Sequence, residues 1–224
     1  MNFKDFTRTE TLGFIFLLLV YTLGIYFSNT DIEYFNTSYA QEDGFAEYGT
    51  AFILGCISLF LTTRLFKLWS VKPALWKIGV IGMALIFLFG AGEEISWGQR
   101  IFNVESSEYF KQNNAQQETN LHNMVVGETK INKLIFSKIL TIVLVIYLLI
   151  LPFLYRSITS IKKLVDSFGV PIPQWKHTIA FLLATALIFL IPSEEKWELY
   201  ELAFAVIFFL IFLNPFNSFV YKQK

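Results

Sequence analysis

Long apolar segments alternate with shorter polar ones along most of the chain. A transmembrane helix needs about 20 predominantly apolar residues. Six segments approach or exceed that length, and they are residues 11–28, 44–65, 75–97, 134–155, 176–191 and 194–213. Each is predicted to be a helix, because a span in lipid must satisfy its own backbone hydrogen bonds. The pattern predicts an all-α fold, a polytopic membrane helical bundle of about six transmembrane helices, with residues 1–224 as a single integral membrane domain.

The composition supports a membrane protein. Hydrophobic residues make up 54% of the chain and charged residues only 16%, whereas soluble domains carry about 25% charged residues. The formal net charge is zero, so we expect no nucleic acid among the partners; the expected partner is the lipid bilayer. A single cysteine, Cys56, excludes an internal disulfide and a cysteine-rich metal site.

Basic residues are distributed unevenly between the two sides that six crossings define. The side with the N-terminus, residues 66–74, residues 156–175 and the C-terminus carries 12 of the 18 lysines and arginines. Cytoplasmic loops are enriched in Lys and Arg, so this side is predicted to be cytoplasmic and to hold both termini. The longest loop, residues 103–133, then lies outside.

Acidic residues are distributed in the opposite way, with 15 of the 18 on the outer side. The preference of Lys and Arg for the cytoplasm does not require this bias. Most of these acids lie in four segments, residues 42–47, 93–100, 117–123 and 194–201. Since all four are predicted at one membrane level, we expect that they can share a polar site.

Helical spacing indicates which acids point into such a site. Glu194, Glu198 and Glu201 are four and three residues apart and share one helix face. Glu201 would lie roughly 10 Å into a helix that begins near residue 194. Ionisable side chains at membrane depth are costly and normally face a partner or a wet cavity, and Arg100 is the obvious partner for one carboxylate.

Glu93 and Glu94 end an almost unbroken apolar run, where the helix dipole disfavours negative charge. A purely structural role explains them less well than any other acids. Acids at the start of a helix are instead favoured by the dipole, which offers a simple capping explanation for Glu42, Asp43, Glu194 and Glu195. His177 is predicted on the cytoplasmic side, far from these acids.

Two segments, GEEISWGQRIF and QQETNLHN, lie within residues 92–123. Together they resemble the signature of an uncharacterised family of bacterial polytopic membrane proteins. The resemblance covers about a seventh of the chain. It implies a multi-pass protein of the bacterial inner membrane and adds no mechanism.

Several carboxylates, one histidine and neighbouring amides could hold one or two divalent cations such as Mg²⁺, Mn²⁺, Zn²⁺ or Fe²⁺. The first hypothesis is therefore a metal-dependent hydrolase or transferase acting on a lipid or lipid-linked substrate. The expected catalytic residues are Glu93, Glu94, Arg100 and His122, with Arg100 binding an anionic headgroup and His122 or a carboxylate acting as base. The expected metal ligands are Glu93, Glu94, His122, Glu198 and Glu201. Further polar candidates are Glu47, Ser96, Gln99, Glu118, Asn120 and Asn123.

Two other hypotheses stay open. An acidic outer vestibule with Glu47 and Glu201 could belong to a cation or proton transporter, although charged residues do not continue through the inner half of any span. The same acids and Arg100 could instead form structural ion pairs in a non-catalytic membrane subunit or scaffold. Against the enzyme, no HExxH metal signature occurs and only one histidine is predicted on the outer side.

Overall fold

The computed structural model describes residues 6–121, 123–126, 129–130 and 140–223. The described chain is helical except for one antiparallel pair of two-residue strands, β1 (Val125–Val126) and β2 (Thr129–Lys130). The expected helical bundle is therefore confirmed. His122 and the first part of the predicted span 134–155 lie outside the described residues.

Most of the helices follow one another with short connections, except where the long loop separates α6 from α7. Their bounds are α1 (Arg8–Thr30), α2 (Ile32–Tyr34), α3 (Phe45–Leu68), α4 (Ala74–Glu94), α5 (Gln99–Phe102), α6 (Glu108–Asn113), α7 (Leu140–Val145), α8 (Leu151–Ser157), α9 (Thr159–Ser167), α10 (Trp175–Ile188) and α11 (Lys196–Leu213). A π-helical segment, Phe35–Tyr39, continues α2, and another, Ile146–Ile150, joins α7 to α8.

Within the described residues, four helices are long and apolar enough to cross a membrane. They are α1, α3, α4 and the continuous helix Leu140–Ser157 that α7 and α8 form. The other two predicted spans differ from these. α10 has 14 residues, which at 1.5 Å per residue is shorter than a hydrocarbon core of about 30 Å. α11 has 18 residues but carries Lys196, Glu198 and Glu201.

α11 is the central helix of the bundle. It packs against α1, α3 and α10, and nine of its residues are buried, from Leu199 to Phe212. One apolar core joins it to α1 and α10, and a second joins its last turn to α3 and α4. A helix that is apolar on all sides is expected at the centre of a bundle. The position of α11 means that acids in its first turns meet protein on several sides.

Two helix ends differ from the sequence-based prediction. The third span was predicted to continue to residue 97, but α4 ends at Glu94 because Ser96, Trp97 and Gly98 have φ angles of +47°, +54° and +79°. Left-handed angles cannot continue a right-handed helix. The sixth span was predicted from residue 194, but α11 begins at Lys196, and the Ser193 hydroxyl accepts a hydrogen bond from the Glu195 amide just before it.

Candidate functional site

The four acidic segments meet at one end of the bundle. Arg100, which follows α4, contacts Asp43 before α3 and Glu118 in the long loop. Gln116 from the same loop donates to Glu42 at 2.7 Å. The fourth segment joins through α11, whose acids lie within electrostatic range of Glu94 and Glu47. The expected meeting of these segments is thus present in the structure.

Arg100 is the centre of an ion-pair cluster. Its Nη1 pairs with Asp43 and lies 3.3 Å from Glu118 Oε1, while its Nη2 lies 3.0 Å from Glu47 Oε1. Nη2 also donates to the backbone carbonyl of Glu94 at 3.3 Å. The sequence predicted one carboxylate partner and the structure provides three. This guanidinium is already neutralised by protein, which does not support the expected role of Arg100 as an anchor for an anionic headgroup.

The left-handed turn at Ser96–Gly98 brings Arg100 back over the end of α4. Side chains rarely adopt positive φ, and here the turn is held by its buried first residue: the Ser96 hydroxyl donates to Glu118 Oε2 and accepts from Asn120 Nδ2 at 2.8 Å. α5 then begins after Gly98. Ser96 is therefore a structural anchor between the turn and the long loop.

Glu93, which the sequence left without a structural explanation, is buried and hydrogen-bonded. Its Oε1 accepts from Trp97 Nε1 at 2.8 Å and its Oε2 accepts from the Leu121 amide at 2.6 Å. The indole ring can lie against α4 because residue 92 is glycine; a Cβ there would stand 2.8 Å from the ring. Glu93 thus fastens both the turn and the loop to the end of α4.

Amide side chains hold the rest of the loop. Gln99 donates to Ser106 and accepts from the Thr119 amide, both at 2.7 Å. Asn120 is buried, and its Oδ1 accepts from Asn114 Nδ2 at 2.8 Å and from the amide of Asn123 at 3.0 Å. These candidates therefore serve to shape the loop.

Glu94 at the end of α4 lies within electrostatic range of Glu198 and Glu201 in the first turns of α11, and we call the space between these three acids the acidic cleft. The three side chains are half-buried, and the charges of Glu198 and Glu201 act on Glu94 and on each other. Among the described residues, no hydrogen-bond donor and no cation contacts these three carboxylates. Because α11 begins at Lys196, Glu201 lies roughly 8 Å into the helix, slightly less deep than predicted.

α3 forms the third wall of the acidic cleft. Glu47 lies in its first turn, and its charge acts on Glu94, Glu198 and Glu201. One turn further along the same face, the buried hydroxyl of Thr50 has no hydrogen-bond partner in the described chain. α3 therefore contributes a carboxylate near these acids and, one turn further on, a hydroxyl that the described chain leaves unsatisfied.

Aromatic rings close the inner side of the acidic cleft. Phe87 of α4 lies with its ring centroid 5.9 Å from that of Phe208 and 5.0 Å from that of Phe212 on α11. Phe87 precedes Glu94 by seven residues and Phe208 follows Glu201 by seven, so the acids lie two helical turns outside this apolar layer. The side of the cleft away from the loop is therefore apolar.

No three His, Cys, Asp or Glu side chains of the described chain are arranged as a ready ligand set for a metal ion. The predicted ligand His122 lies outside the described residues, although its neighbours Leu121 and Asn123 are held by Glu93 and Asn120. A cation in the acidic cleft would consequently bind partly through water or draw the carboxylates together.

A second buried polar cluster, which the sequence did not predict, lies at the opposite end of the bundle. Glu10 is fully buried. Its Oε2 accepts from Lys176 Nζ at 2.8 Å and from the amide and hydroxyl of Thr7. Its Oε1 accepts from Asn214 Nδ2 at 3.1 Å and lies 3.0 Å from His177 Nε2. The motif Thr7-x-x-Glu10 is a readable capping box, but its partners lie more than 160 residues away. The cluster joins the start of α1 to the start of α10 and the end of α11.

No protein-family model, no curated protein and no solved structure matches the chain. The resemblance of residues 92–123 to a bacterial membrane protein family therefore stays a prediction.

Proposed function

We propose that the chain is a multi-pass protein of the bacterial inner membrane whose acidic cleft binds a divalent cation at the extracytoplasmic face. With that cation, it would act as a hydrolase or transferase on a lipid or lipid-linked substrate. In this arrangement α10 and α11 complete six spans and both termini are cytoplasmic.

The contacts at the two ends of the bundle support the six-span arrangement. Glu10 near the start of α1 meets the start of α10 and the end of α11, as expected when both termini lie on one side. Arg64 at that end donates to the Phe212 carbonyl at 2.8 Å and stacks on the Tyr221 ring. Lysines and arginines concentrate there, which favours the cytoplasmic side for this end.

One observation carries the proposed cation site: Glu94, Glu198 and Glu201 share a half-buried cleft without any counter-charge from the described chain. Several anions near one another at membrane depth are unfavourable unless they take up protons or a cation. Arg100 and the Trp97 indole neutralise or hydrogen-bond the neighbouring acids but not these three. The charge of the acidic cleft must therefore be balanced by protons or by a bound cation, and the proposal assigns a cation to it.

Carboxylate oxygens are the preferred ligands of hard divalent cations, and Mg²⁺ in particular keeps several waters in its coordination shell. Such waters suit a cleft whose carboxylates do not form a ready ligand set. When bound, a divalent cation acidifies a bound water and polarises a phosphoryl or acyl oxygen. Glu94 and Glu201 would bind the ion, and Glu198, nearer the loop, would accept a proton from the attacking group. Arg100 and Glu93 would act by positioning α4 and the loop.

The aromatic layer under the cleft makes transport the weaker alternative. Phe87, Phe208 and Phe212 fill the inner side between α4 and α11, and Ile57 and Leu61 of the same core are fully buried. In the described chain, the acidic side chains of the cleft do not continue through this layer. The other alternative, a non-catalytic scaffold, does not require a bound cation, so the cation-binding measurement tests it directly.

Titration of the purified protein with Mn²⁺, with free Mn²⁺ measured by its EPR signal, tests the proposed site. The wild-type protein should bind Mn²⁺ saturably. Glu94→Gln and Glu201→Gln should each weaken the affinity on the order of tenfold or more, because each removes an anionic ligand. Glu105→Gln is the matched control, since this loop carboxylate is 90% exposed. The absence of saturable binding, or equal affinity in all four proteins, would refute the cation site.

Activity is tested with the same proteins in phospholipid vesicles containing Mn²⁺. The wild-type protein should release phosphate, headgroup or fatty acid from a lipid, and Glu201→Gln should not. Saturable Mn²⁺ binding without release of any of these would leave the cation site standing and overturn the hydrolytic reaction in these lipids.

A further inference from the structure

A short segment beside the site exposes four apolar side chains. Trp97, Ile101, Phe102 and Val104 are 52%, 60%, 75% and 59% exposed. They follow one another within eight residues, on and around α5, at the level where α4 ends. Four such side chains in water would be unfavourable, and contiguous exposed apolar surface commonly marks a contact with a membrane or another protein.

Two polar residues of the same segment, Gln99 and Arg100, point the other way, whereas Asn103 is exposed. Gln99 bonds Ser106 and the Thr119 amide, and Arg100 is held by its carboxylate partners. These contacts fix the orientation of α5, so that its polar side faces the loop and the ion-pair cluster. The outward direction of Ile101 and Phe102 therefore follows from the folded loop.

The apolar segment continues the exposed stripe of α4. Leu85, Ile86, Leu88 and Phe89 are all exposed on this helix, which is long and apolar enough to cross a membrane. The Trp97 ring packs edge-on against Phe89, with 5.8 Å between centroids. The exposed apolar surface that would meet lipid on α4 therefore continues directly into the apolar side chains that follow this helix.

Polarity changes abruptly after Val104. Glu105 and Glu108 are 90% and 80% exposed, and both contact Lys111. Hydrogen bonds to Glu105 and then to Glu108 raise the pKa of the Lys111 ammonium, so this ammonium is charged at neutral pH. This change marks the point where the chain returns to water.

We propose that residues 97–104 are inserted into the leaflet at this end of the bundle, where lipid acyl chains cover Trp97, Ile101, Phe102 and Val104. The inserted segment would lie against the membrane-facing edge of the site and keep lipid next to it. The proposal rests on the membrane placement of α4 in the proposed function and does not depend on cation binding. A lipid surface is favoured over a partner protein because the segment continues the lipid-facing stripe of α4.

Spin labels on single cysteines test the insertion. Cys56→Ser gives a background without cysteine, into which Phe102→Cys or Val104→Cys is introduced, and the labelled protein is reconstituted into phospholipid vesicles without metal. Leu88→Cys on α4 is the lipid-facing control, and Gln112→Cys on α6 is the solvent-exposed control. Collision rates with O₂ report on lipid, and those with a water-soluble nickel chelate report on water.

Labels at 102 and 104 should resemble the label at 88, with O₂ collisions several-fold more frequent than nickel collisions. A profile like that of 112 would show that the segment lies in water and overturn the proposal. Labels shielded from both reagents would show that protein covers the segment, which also overturns it. Since the measurement is made without metal, its failure is distinguishable from a failure of Mn²⁺ binding.

Discussion

Replacing Arg100 by glutamine should destabilise the bundle by about 3 kcal/mol at neutral pH. The variant leaves Asp43, Glu47 and Glu118 without their shared cation. Glu47 and Glu118 are only 16% and 15% exposed, so the hydrogen-bonded pair of Arg100 with Glu47 and its shielded ion pair with Glu118 count for about 1.5 kcal/mol each. Asp43 is 46% exposed, and its pair adds less than about 1 kcal/mol.

The estimated loss of stability is kept at about 3 kcal/mol, and not higher, because the two shielded carboxylates keep other hydrogen-bond donors. Glu47 Oε2 still accepts from the Asp43 amide, and Glu118 Oε2 still accepts from Ser96 and Asn120. A loss of about 3 kcal/mol corresponds to roughly a hundredfold change in the unfolding equilibrium. For a chain of this length it should lower the melting temperature by about 6–12 °C.

Thermal unfolding in detergent, followed by far-ultraviolet circular dichroism, measures this effect. Lys111→Gln is the matched control, because Lys111 also contacts two carboxylates, but these are 90% and 80% exposed; its melting temperature should change by less than about 2 °C. Adding Glu118→Gln to Arg100→Gln should recover part of the loss by removing one uncompensated carboxylate. An Arg100→Gln protein that melts within 2 °C of wild type would refute the ion-pair cluster as a stabilising centre.

Two further variants test the remaining polar anchors. Glu10→Gln removes the buried charge that faces Lys176 at 2.8 Å and should lower the melting temperature by about 6–12 °C, as expected for breaking a buried ion pair at about 3 kcal/mol. The exposed Glu33→Gln should change it by less than about 2 °C, and equal behaviour of the two variants would contradict a buried pair. Trp97→Phe removes the indole donor to Glu93 at 2.8 Å and should cost about 1–2 kcal/mol; limited proteolysis of the long loop should accelerate about tenfold, and an unchanged rate would contradict the anchoring role.

The sequence was sufficient for the long apolar helices because their hydropathy is an average over many residues. It was not sufficient for the end of α4, which depends on the φ angles of three residues. Gly98 is a natural residue for a left-handed turn, but Ser96 and Trp97 are not, and they adopt positive φ because the loop holds Ser96 and Glu93 holds Trp97. Contacts made by residues 118–121 thus determine where an earlier helix stops.

The orientation of helices about their axes limited the prediction of the site. The predicted topology places Asp43, Glu47, Arg100 and Glu118 at one membrane level, but it does not determine which carboxylates face the Arg100 guanidinium. For the same reason His177 was predicted only to lie far from the outer acids, and its burial beside Glu10 was not predicted. A buried ionisable residue at the start of an apolar helix requires a partner. That requirement was the one feature of the sequence that could have indicated a partner for His177.

The structure changes which acids require a functional explanation. Glu93, which the sequence could explain least, has two close donors, while Glu94, beside it in sequence, faces Glu198 and Glu201 without one in the described chain. Since Arg100 and Glu93 already fasten the turn and the loop, the charge in the acidic cleft is not needed for folding and opposes it. Glu94→Gln should therefore raise the melting temperature of the metal-free protein by roughly 2–4 °C, for about 1 kcal/mol of relieved repulsion, while it weakens Mn²⁺ binding. A carboxylate with a purely structural role would not produce this opposition between stability and binding.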